Sequence, residues 1–290
     1  RFKIPKYKKK LLRFFDYYED MLSIDELEDY GAIIVMAHHD SKSQPLKTYV
    51  RALFFTTTSL SIVTAVVCFI ITSFMQRYAN VPAGENTARF IGYVATIVGV
   101  LATIPLVFNG VGNNSQGAMD NASGVAVVHQ IAKYFKKHPL KHFRVICLIT
   151  GSEEVSTLGS RYMSPIIQKE IGDKPAFVLN YDMVGLKNKP VQFIEGSMMT
   201  KEVPFLKQLA YDTAAEMFIP VDGFSFVVGA MTDGFIFSEA GFQSIDFVNR
   251  DAAFFTHTPQ DTPDKFDSLA GLYYVALSAG MMRKIEPAIK

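Results

Sequence analysis

The sequence predicts an α/β protein: a mixed, mostly parallel sheet with helices on both faces, together with a separate pair of apolar helices. Four short segments are almost continuously apolar, as expected for strands covered on both faces: 31–37, 143–150, 176–182 and 244–249. Segments with helical patterns lie between and after them, at about 122–138, 155–170, 201–217, 233–240 and 267–284. Strands that alternate with helices in this way are typical of a layered α/β sheet.

The apolar pair of helices is predicted from two stretches without a charged residue, at 52–75 and 90–108. A membrane-spanning helix needs about 20 residues, and both stretches are long enough. The alternative is a pair of core helices in a soluble domain, but such helices normally carry a polar face and neither stretch does. We therefore expect a transmembrane hairpin that inserts in a lipid bilayer through 52–108, with the Pro- and Gly-containing linker 76–88 as an exposed turn.

This hairpin divides the chain into three parts. Residues 1–51 form a basic N-terminal segment, with a predicted helix in its first 30 residues, followed by the first part of the α/β domain. Residues 52–108 form the hairpin, and residues 109–290 form the remainder of the α/β domain. Residues 1–51 contain ten Lys or Arg, whereas the linker between the spans contains only Arg77, with Arg89 close behind it. By the positive-inside rule we expect a multi-pass membrane protein whose α/β domain lies on the cytoplasmic face.

Composition narrows the range of partners and compartments. The net charge is +1 and charged residues make up 20% of the chain, so no nucleic-acid-binding surface is expected. The two cysteines, Cys68 and Cys147, lie in apolar segments and are too few for a disulfide framework. They are predicted to be buried thiols in a reducing compartment. The sequence does not determine the oligomeric state.

Acidic and imidazole side chains gather where the predicted strands end. Parallel strands present their carboxyl ends at one edge of a sheet, which is where ligand sites form in α/β proteins. The residues found there, or in loops that can reach that edge, are His38, His39, Asp40, Asp120, Glu153, Glu154, Asp182 and His257. Nitrogen and oxygen ligands of this kind suit a pair of Zn²⁺ ions, which need a bridging carboxylate and a further carboxylate that accepts protons from water.

Six motifs in order resemble those of the M28 zinc exopeptidases, the group of aminopeptidases and glutamate carboxypeptidases: "AHHDS", "GAMDNASGVA", "SEE" followed by "LGS", "NYDMVG", "MTDGFIFSEAG" and "HTPQDTPDK". Each motif is weak alone, and the six in this order are specific. The resemblance covers about residues 31–284, apart from the hairpin, which lies between the first motif and the second.

The resemblance implies two Zn²⁺ ions held by His38 and Asp182 on one side, Glu154 and His257 on the other, and Asp120 as the bridge. It further implies that Glu153 is the general base and that Asp40 orients the imidazole of His38. We predict a packing or hydrogen-bonding role for His39, with direct metal ligation as the alternative. Asp261 and Asp264 are predicted to fix the loop that presents His257.

The implied activity is hydrolysis of an N-terminal peptide bond in a peptide substrate. One departure concerns the oxyanion donor: many family members carry a tyrosine just before the last histidine, where this chain has Thr256. Two alternatives remain, a glutaminyl-cyclase-like transferase that uses one zinc ion and a non-catalytic membrane receptor on the same fold. The number of zinc ions bound per chain, two, one or none, separates the three.

Overall fold

The computed structural model of the protein describes residues 31–79, 82–197, 204–226 and 231–288. The helix predicted in residues 1–30 lies outside the described residues. Within them, six strands form one sheet: β1 (Gly31–His38), β2 (Phe143–Thr150), β3 (Ala176–Asp182), β4 (Val191–Ser197), β5 (Val221–Phe226) and β6 (Gln243–Val248). The helices are α1 (Thr48–Phe74), α2 (Pro82–Val107), α3 (Gly124–Lys137), α4 (Leu158–Ile171), α5 (Pro204–Glu216), α6 (Asp233–Glu239) and α7 (Ser268–Ala288).

The strand order in the sheet is β2-β1-β3-β6-β4-β5. All neighbours pair in parallel except β4 and β6, which pair antiparallel. The predicted mixed, mostly parallel sheet is therefore confirmed. The chain runs from β1 to β2 on one side and then crosses to β3 on the other side of β1. This reversal opens a crevice between β1 and β3 at their carboxyl ends.

Helices cover the sheet on both faces, and the alternation of side chains along β1 explains why. All eight residues of β1 are buried. Ile33, Val35 and Ala37 join the larger core cluster with α3, α5 and α7, whereas Ile34 and Met36 join the smaller cluster with α4 and α6. Because successive side chains point to opposite faces, a strand buried on both must be apolar throughout. His38 is the last residue of this buried strand, so the packing of the strand holds it in place.

The four predicted strands lie within about one residue of their expected bounds. Strands β4 and β5 were not predicted from the sequence. Both begin with alternating rather than continuous apolar residues, and β5 contains Gly223, which weakens a strand pattern. β4 and β5 pair with each other at one end of the sheet, where β5 is the edge strand. Their place in the sheet follows from pairing across the chain and not from local pattern.

Helices α1 and α2 pack against each other along their length and form the predicted hairpin. The predicted turn at 76–88 is wrong for most of its residues. A π-helical turn, Met75–Ala79, extends α1, and α2 begins already at Pro82. Proline is favoured in the first turn of a helix, since its missing N–H would have no helical partner there. The negative charge of Glu85, also in the first turn, interacts favourably with the positive end of the helix dipole.

Small residues form the contact between the two hairpin helices. The buried residues of α1 are Ser61, Ala65, Cys68 and Thr72, and those of α2 are Gly92, Gly99 and Ala102. A Cβ atom on Gly92 would lie 3.2 Å from the Cβ of Cys68, and one on Gly99 would lie 3.0 Å from the Cβ of Ser61. Small residues that bring helix backbones this close are typical of helix pairs in membranes.

The outer faces of the hairpin carry large exposed apolar side chains, such as Leu60 (65% exposed), Ile70 (64%) and Phe90 (68%). The hydroxyls of Ser73, Thr96 and Thr103 donate to carbonyls of their own helices at 2.8 Å, so they are not left unpaired. Both helices are long and apolar enough to cross a membrane. In the most apolar stretch of each helix, 17% of the residues are buried inside the protein. Two such helices are weak evidence of membrane association when taken alone.

Candidate metal centre

The first group of ligand-type side chains lies at the crevice between β1 and β3. His38 is the last residue of β1 and Asp182 the last of β3, so the two strands bring them side by side. The Nε2 atom of His38 lies 3.5 Å from Oδ1 of Asp182 and 3.3 Å from Oδ1 of Asp120. All three side chains are buried. One atom from each lies close enough to the others for a single metal ion, and we call these residues the His38 group.

A second group shares Asp120 with the first. The other carboxylate oxygen of Asp120, Oδ2, lies 2.9 Å from Nε2 of His257, which in turn lies 3.0 Å from Oε1 of Glu154. These three residues again present one atom each within reach of a single ion, and we call them the His257 group. Asp120 thus directs one oxygen to each group. This is the arrangement that a carboxylate bridging two metal ions requires.

The backbone around Asp120 explains why its side chain is free for this role. Asp120 and Asn121 have non-helical dihedral angles within the turn Ala118–Ser123 that precedes α3. It is the side chain of Asn121 that accepts a hydrogen bond from the N–H of Gly124, the first residue of α3, at 3.1 Å. Asp120 therefore faces the two histidines instead.

Asp40 supports both the first histidine and the two glutamates. The Nδ1 atom of His38 lies 3.0 Å from the carbonyl oxygen of Asp40 and 3.7 Å from its carboxylate. The carboxylate also accepts hydrogen bonds from the backbone N–H groups of Glu153 and Glu154, at 3.1 and 3.2 Å. The loop after β1 is thereby joined to the loop after β2. Glu153 then lies with Oε2 4.0 Å from Nε2 of His38.

Three buried atoms of these groups have no hydrogen-bond partner among the described residues: Nε2 of His38, Oε1 of Glu154 and Oδ1 of Asp182. A buried polar atom without a partner costs free energy, so several in one place call for an explanation. All three face the space shared by the two groups, and they are imidazole and carboxylate atoms, the ligands that Zn²⁺ takes in proteins. The donor set therefore fits two zinc ions.

Several carboxylates lie close together in the site and shift the pKa values of their neighbours. Burial, with the nearby charge of Asp182, raises the pKa of Glu153 to about 9. Burial would lower the pKa of His257, but the adjacent carboxylates of Asp120 and Glu154 raise it to about 9. Burial would lower the pKa of His38 as well, but the nearby carboxylates of Asp120, Asp182 and Asp40 raise it. Cations are therefore favoured at this site, whether protons or metal ions.

Two basic side chains at the site were not recognised as site residues from sequence. Nζ of Lys42 lies 2.7 Å from Oε2 of Glu154 and donates to its carbonyl oxygen at 3.1 Å. Arg51, in the first turn of α1, places Nη2 at 2.9 Å from Nδ1 of His257. Lys42 follows His38 in the same loop, which was an available signal. Arg51 offered none, because its contact joins residues 206 positions apart.

The remaining predicted residues have simpler environments. His39 is exposed, with its ring against Gly151. Asp261 is buried and accepts hydrogen bonds from the N–H groups of Met119 and Asp120, whereas the side chain of Asp264 contacts Thr262 and Lys265 of its own loop. Thr256 is buried. The geometry places His39 and Thr256 outside both ligand groups.

The fold and the two groups that share one carboxylate are those of an α/β zinc hydrolase. The sequence pattern of Peptidase family M28 matches residues 102–272, which is more than half of the chain. The protein therefore belongs to peptidase family M28, a family of zinc metallopeptidases, and the family prediction is confirmed. The matched range contains Asp120, Glu153, Glu154, Asp182 and His257, and it begins after His38 and most of the hairpin.

Individual relatives agree with this family. The chain is 30% identical over 155 residues to "Aminopeptidase YwaD" of Bacillus subtilis (strain 168), a match that covers 51% of this chain and 33% of the relative. The structure of BSAP, a zinc aminopeptidase from Bacillus subtilis, superposes with a TM-score of 0.56 at 16% identity, covering 89% of this chain and 47% of that one. A glutaminyl cyclase from an Acidobacteriales bacterium gives a TM-score of 0.50 at 19% identity, covering 59% and 63%. At these identities the structures establish the fold. The chain spans about a third of the length of the curated relative.

Proposed function

We propose that this protein is a membrane-bound exopeptidase with two zinc ions, acting as an aminopeptidase on N-terminal peptide bonds. The observation that carries the proposal is Asp120, whose two oxygens are directed to two separate groups, 3.3 Å from His38 and 2.9 Å from His257. A site for one ion has no use for a second complete set of ligands. The preference for peptide amino termini rests on the aminopeptidases among its relatives.

In this proposal the His38 group holds one ion and the His257 group holds the other. Bound zinc supplies Lewis acidity, which favours ionisation of water and polarises a carbonyl oxygen. The side chains fix the positions: strand ends hold His38 and Asp182, and Asp261 holds the backbone of Asp120 from the loop that carries His257. Supports of this kind orient the side chains that would bind the metal ions.

Glu153 is proposed as the general base, which accepts a proton from water and returns it to the leaving amine. Its carboxylate is largely buried and lies 4.0 Å from Nε2 of His38, beside the ligands but in neither group. Burial and the neighbouring carboxylates raise its pKa, so it binds a proton readily. A general base typically contributes about 10²- to 10⁴-fold to the rate.

The proposal includes insertion of the hairpin in a lipid bilayer, as an interruption of the catalytic domain between residues 52 and 108, with the site near the membrane surface. Exposed apolar side chains on both helices, small residues between them and internally bonded hydroxyls support this. The excess of Lys and Arg in residues 1–51 supports a cytoplasmic active site. Single cysteines introduced at Tyr78, which is 73% exposed, and at Lys187 test the topology in a chain without its native cysteines. An impermeant thiol reagent applied to intact cells is expected to label Tyr78→Cys and not Lys187→Cys, and the reverse pattern contradicts the proposed orientation.

Zinc content and peptide hydrolysis together test the enzymatic proposal. Purified full-length protein in detergent is expected to bind two zinc ions and to release the first residue of unblocked peptides, but not of peptides with an acetylated amino terminus. The fold likeness to a glutaminyl cyclase keeps a mono-zinc transferase as the second candidate. One zinc ion at saturation with cyclisation of N-terminal glutamine supports that candidate. Absence of bound zinc supports a non-catalytic receptor.

A further inference from the structure

The two histidines of the site have opposite environments at the ring nitrogen that faces away from the ligand groups. Nδ1 of His38 lies 3.0 Å from a carbonyl oxygen, that of Asp40, which can only accept a hydrogen bond. Nδ1 of His257 lies 2.9 Å from Nη2 of Arg51, which can only donate one. In the neutral form that binds a metal ion, the proton is therefore favoured on Nδ1 of His38 and on Nε2 of His257.

This difference decides how readily each ring binds a metal ion through Nε2. A histidine that binds metal through one nitrogen carries its proton on the other, and that N–H is normally donated to an acceptor. His38 has this arrangement. In His257 the contact with Arg51 places the proton on Nε2, the atom that lies 2.9 Å from Asp120 and 3.0 Å from Glu154. Binding of metal at Nε2 requires the Arg51 contact to break.

The charged side chains around the two groups also favour metal binding at the His38 group over the His257 group. The ring of His38 lies within 4.0 Å of the carboxylates of Asp40, Asp120, Glu153 and Asp182, whereas that of His257 lies near two carboxylates, those of Asp120 and Glu154. In the His257 group, by contrast, the free oxygen of Glu154 is neutralised by Lys42 at 2.7 Å, and the outer side of His257 is in contact with Arg51. Two fixed positive charges beside a cation-binding group lower its affinity for a divalent cation.

We infer that Arg51 and Lys42 make the His257 group the weaker of the two zinc positions, with Arg51 acting as a positioning residue on the tautomer of His257. The inference rests on the proposed function, since it requires two zinc ions. Arg51 belongs to the first turn of α1, where its backbone N–H donates to the carbonyl of Lys47 at 3.0 Å. The first turn of α1 therefore contacts the candidate metal centre through Arg51.

The test measures zinc affinity and does not depend on turnover. Full-length protein in detergent is stripped with chelator and titrated with Zn²⁺ against a fluorescent zinc indicator, which yields two dissociation constants. For the wild type we expect the second constant to be at least about tenfold larger than the first. His257→Ala is expected to keep the tighter ion and lose the weaker one. Loss of the tighter ion instead overturns the inference.

Arg51→Met is expected to tighten the second zinc by about tenfold and to leave the first unchanged. A purely structural role predicts the opposite sign, because loss of a supporting residue weakens metal binding. Arg51→Lys retains a donor and a positive charge, so its constants should remain close to those of the wild type. The matched control is Arg89→Gln in α2, where Arg89 pairs with Glu85 away from the site. Unchanged or weaker binding of the second ion in Arg51→Met contradicts the inference.

Lys42→Met tests the contribution of charge without altering the hairpin, and it serves if Arg51→Met does not fold. It is expected to tighten the second zinc, while Lys189→Met, whose lysine pairs with Asp251, should not. Weaker binding in Lys42→Met overturns the role assigned to Lys42. Failure of the proposed function is a distinct result: a wild type that binds fewer than two ions at saturating Zn²⁺ refutes the two-zinc site. Two ions of equal affinity refute only this inference.

Discussion

Asp261 binds the backbone of Asp120. One oxygen of the Asp261 carboxylate accepts a hydrogen bond from the N–H of Asp120 at 3.1 Å, and the other accepts one from the N–H of Met119 at 2.7 Å. Asp261 follows His257 by four residues in the same loop. The loop of the last ligand therefore holds the loop of the shared carboxylate, so the two cannot move independently.

Asp261→Asn is expected to lower the free energy of unfolding by about 1–3 kcal/mol, because an amide NH₂ would face a backbone N–H in place of a carboxylate oxygen. Zinc binding should weaken in parallel, since Asp120 loses its support. Thermal unfolding and zinc titration measure the two effects. Asp264→Asn is the control, because Asp264 is exposed and contacts Thr262 and Lys265 of its own loop. Equal behaviour of the two variants contradicts the role given to Asp261.

Glu153→Gln is expected to retain two zinc ions and to lose about 10²- to 10⁴-fold in turnover, since glutamine cannot accept the proton. Glu154→Gln, a change in the adjacent residue, is expected to lose zinc from the His257 group. Metal analysis beside peptide hydrolysis distinguishes the two. If Glu153→Gln loses the metal and Glu154→Gln keeps it, the roles of the two glutamates are reversed.

Asp120→Ala is expected to lose both zinc ions, because Asp120 contributes to both groups, whereas His257→Ala should lose one. An ion bound only by the native state stabilises it by about 2.7 kcal/mol when its concentration is one hundred times the dissociation constant. The Tm measured in excess Zn²⁺ should therefore fall in both variants, and further for Asp120→Ala. His129→Ala, which alters an exposed histidine of α3, is the control. Full zinc content with full activity in Asp120→Ala would falsify the site.

Asp246 is expected to make the zinc-free protein less stable as the pH rises from about 4 to about 6. Burial raises the pKa of Asp246 to about 6, although hydrogen bonds from Thr232 at 2.6 Å and Asn180 at 2.9 Å oppose the shift. The native state then holds a proton that the unfolded state has released, so the stabilising contribution is complete below the usual pKa and lost as the pH approaches 6. A shift of about two units corresponds to about 3 kcal/mol.

Asp246→Asn removes this titration and should still accept both hydrogen bonds. The Tm of the variant relative to the wild type is therefore expected to rise between pH 4 and pH 6 in the presence of chelator. Asp222→Asn supplies the comparison, since the Asp222 side chain is 42% exposed. Parallel pH profiles for Asp246→Asn and the wild type mean that Asp246 is not responsible for the pH dependence.

The strands that carry the site could be predicted because a strand buried on both faces is apolar throughout and its end is marked by the first polar residues. This holds for Gly31–His38, and for Ala176–Asp182 with the exception of Asn180. It fails for β4 and β5, whose position depends on pairing at the sheet edge. It also fails for the linker of the hairpin, where Pro82 begins a helix and does not form a turn. Local composition is ambiguous wherever tertiary contacts choose between conformations.

By itself, the sequence determined which side chains are available as ligands and that two apolar helices interrupt the domain that holds them. The tertiary structure decided the partners of those ligands. Only the folded chain directs the two oxygens of Asp120 to different histidines and sets Arg51 against His257, 206 residues away in the chain. The physical reason is that the burial of a strand can be predicted from the apolar residues of its own segment. The direction of a side chain and its hydrogen-bond partner depend instead on distant segments that meet only in the fold.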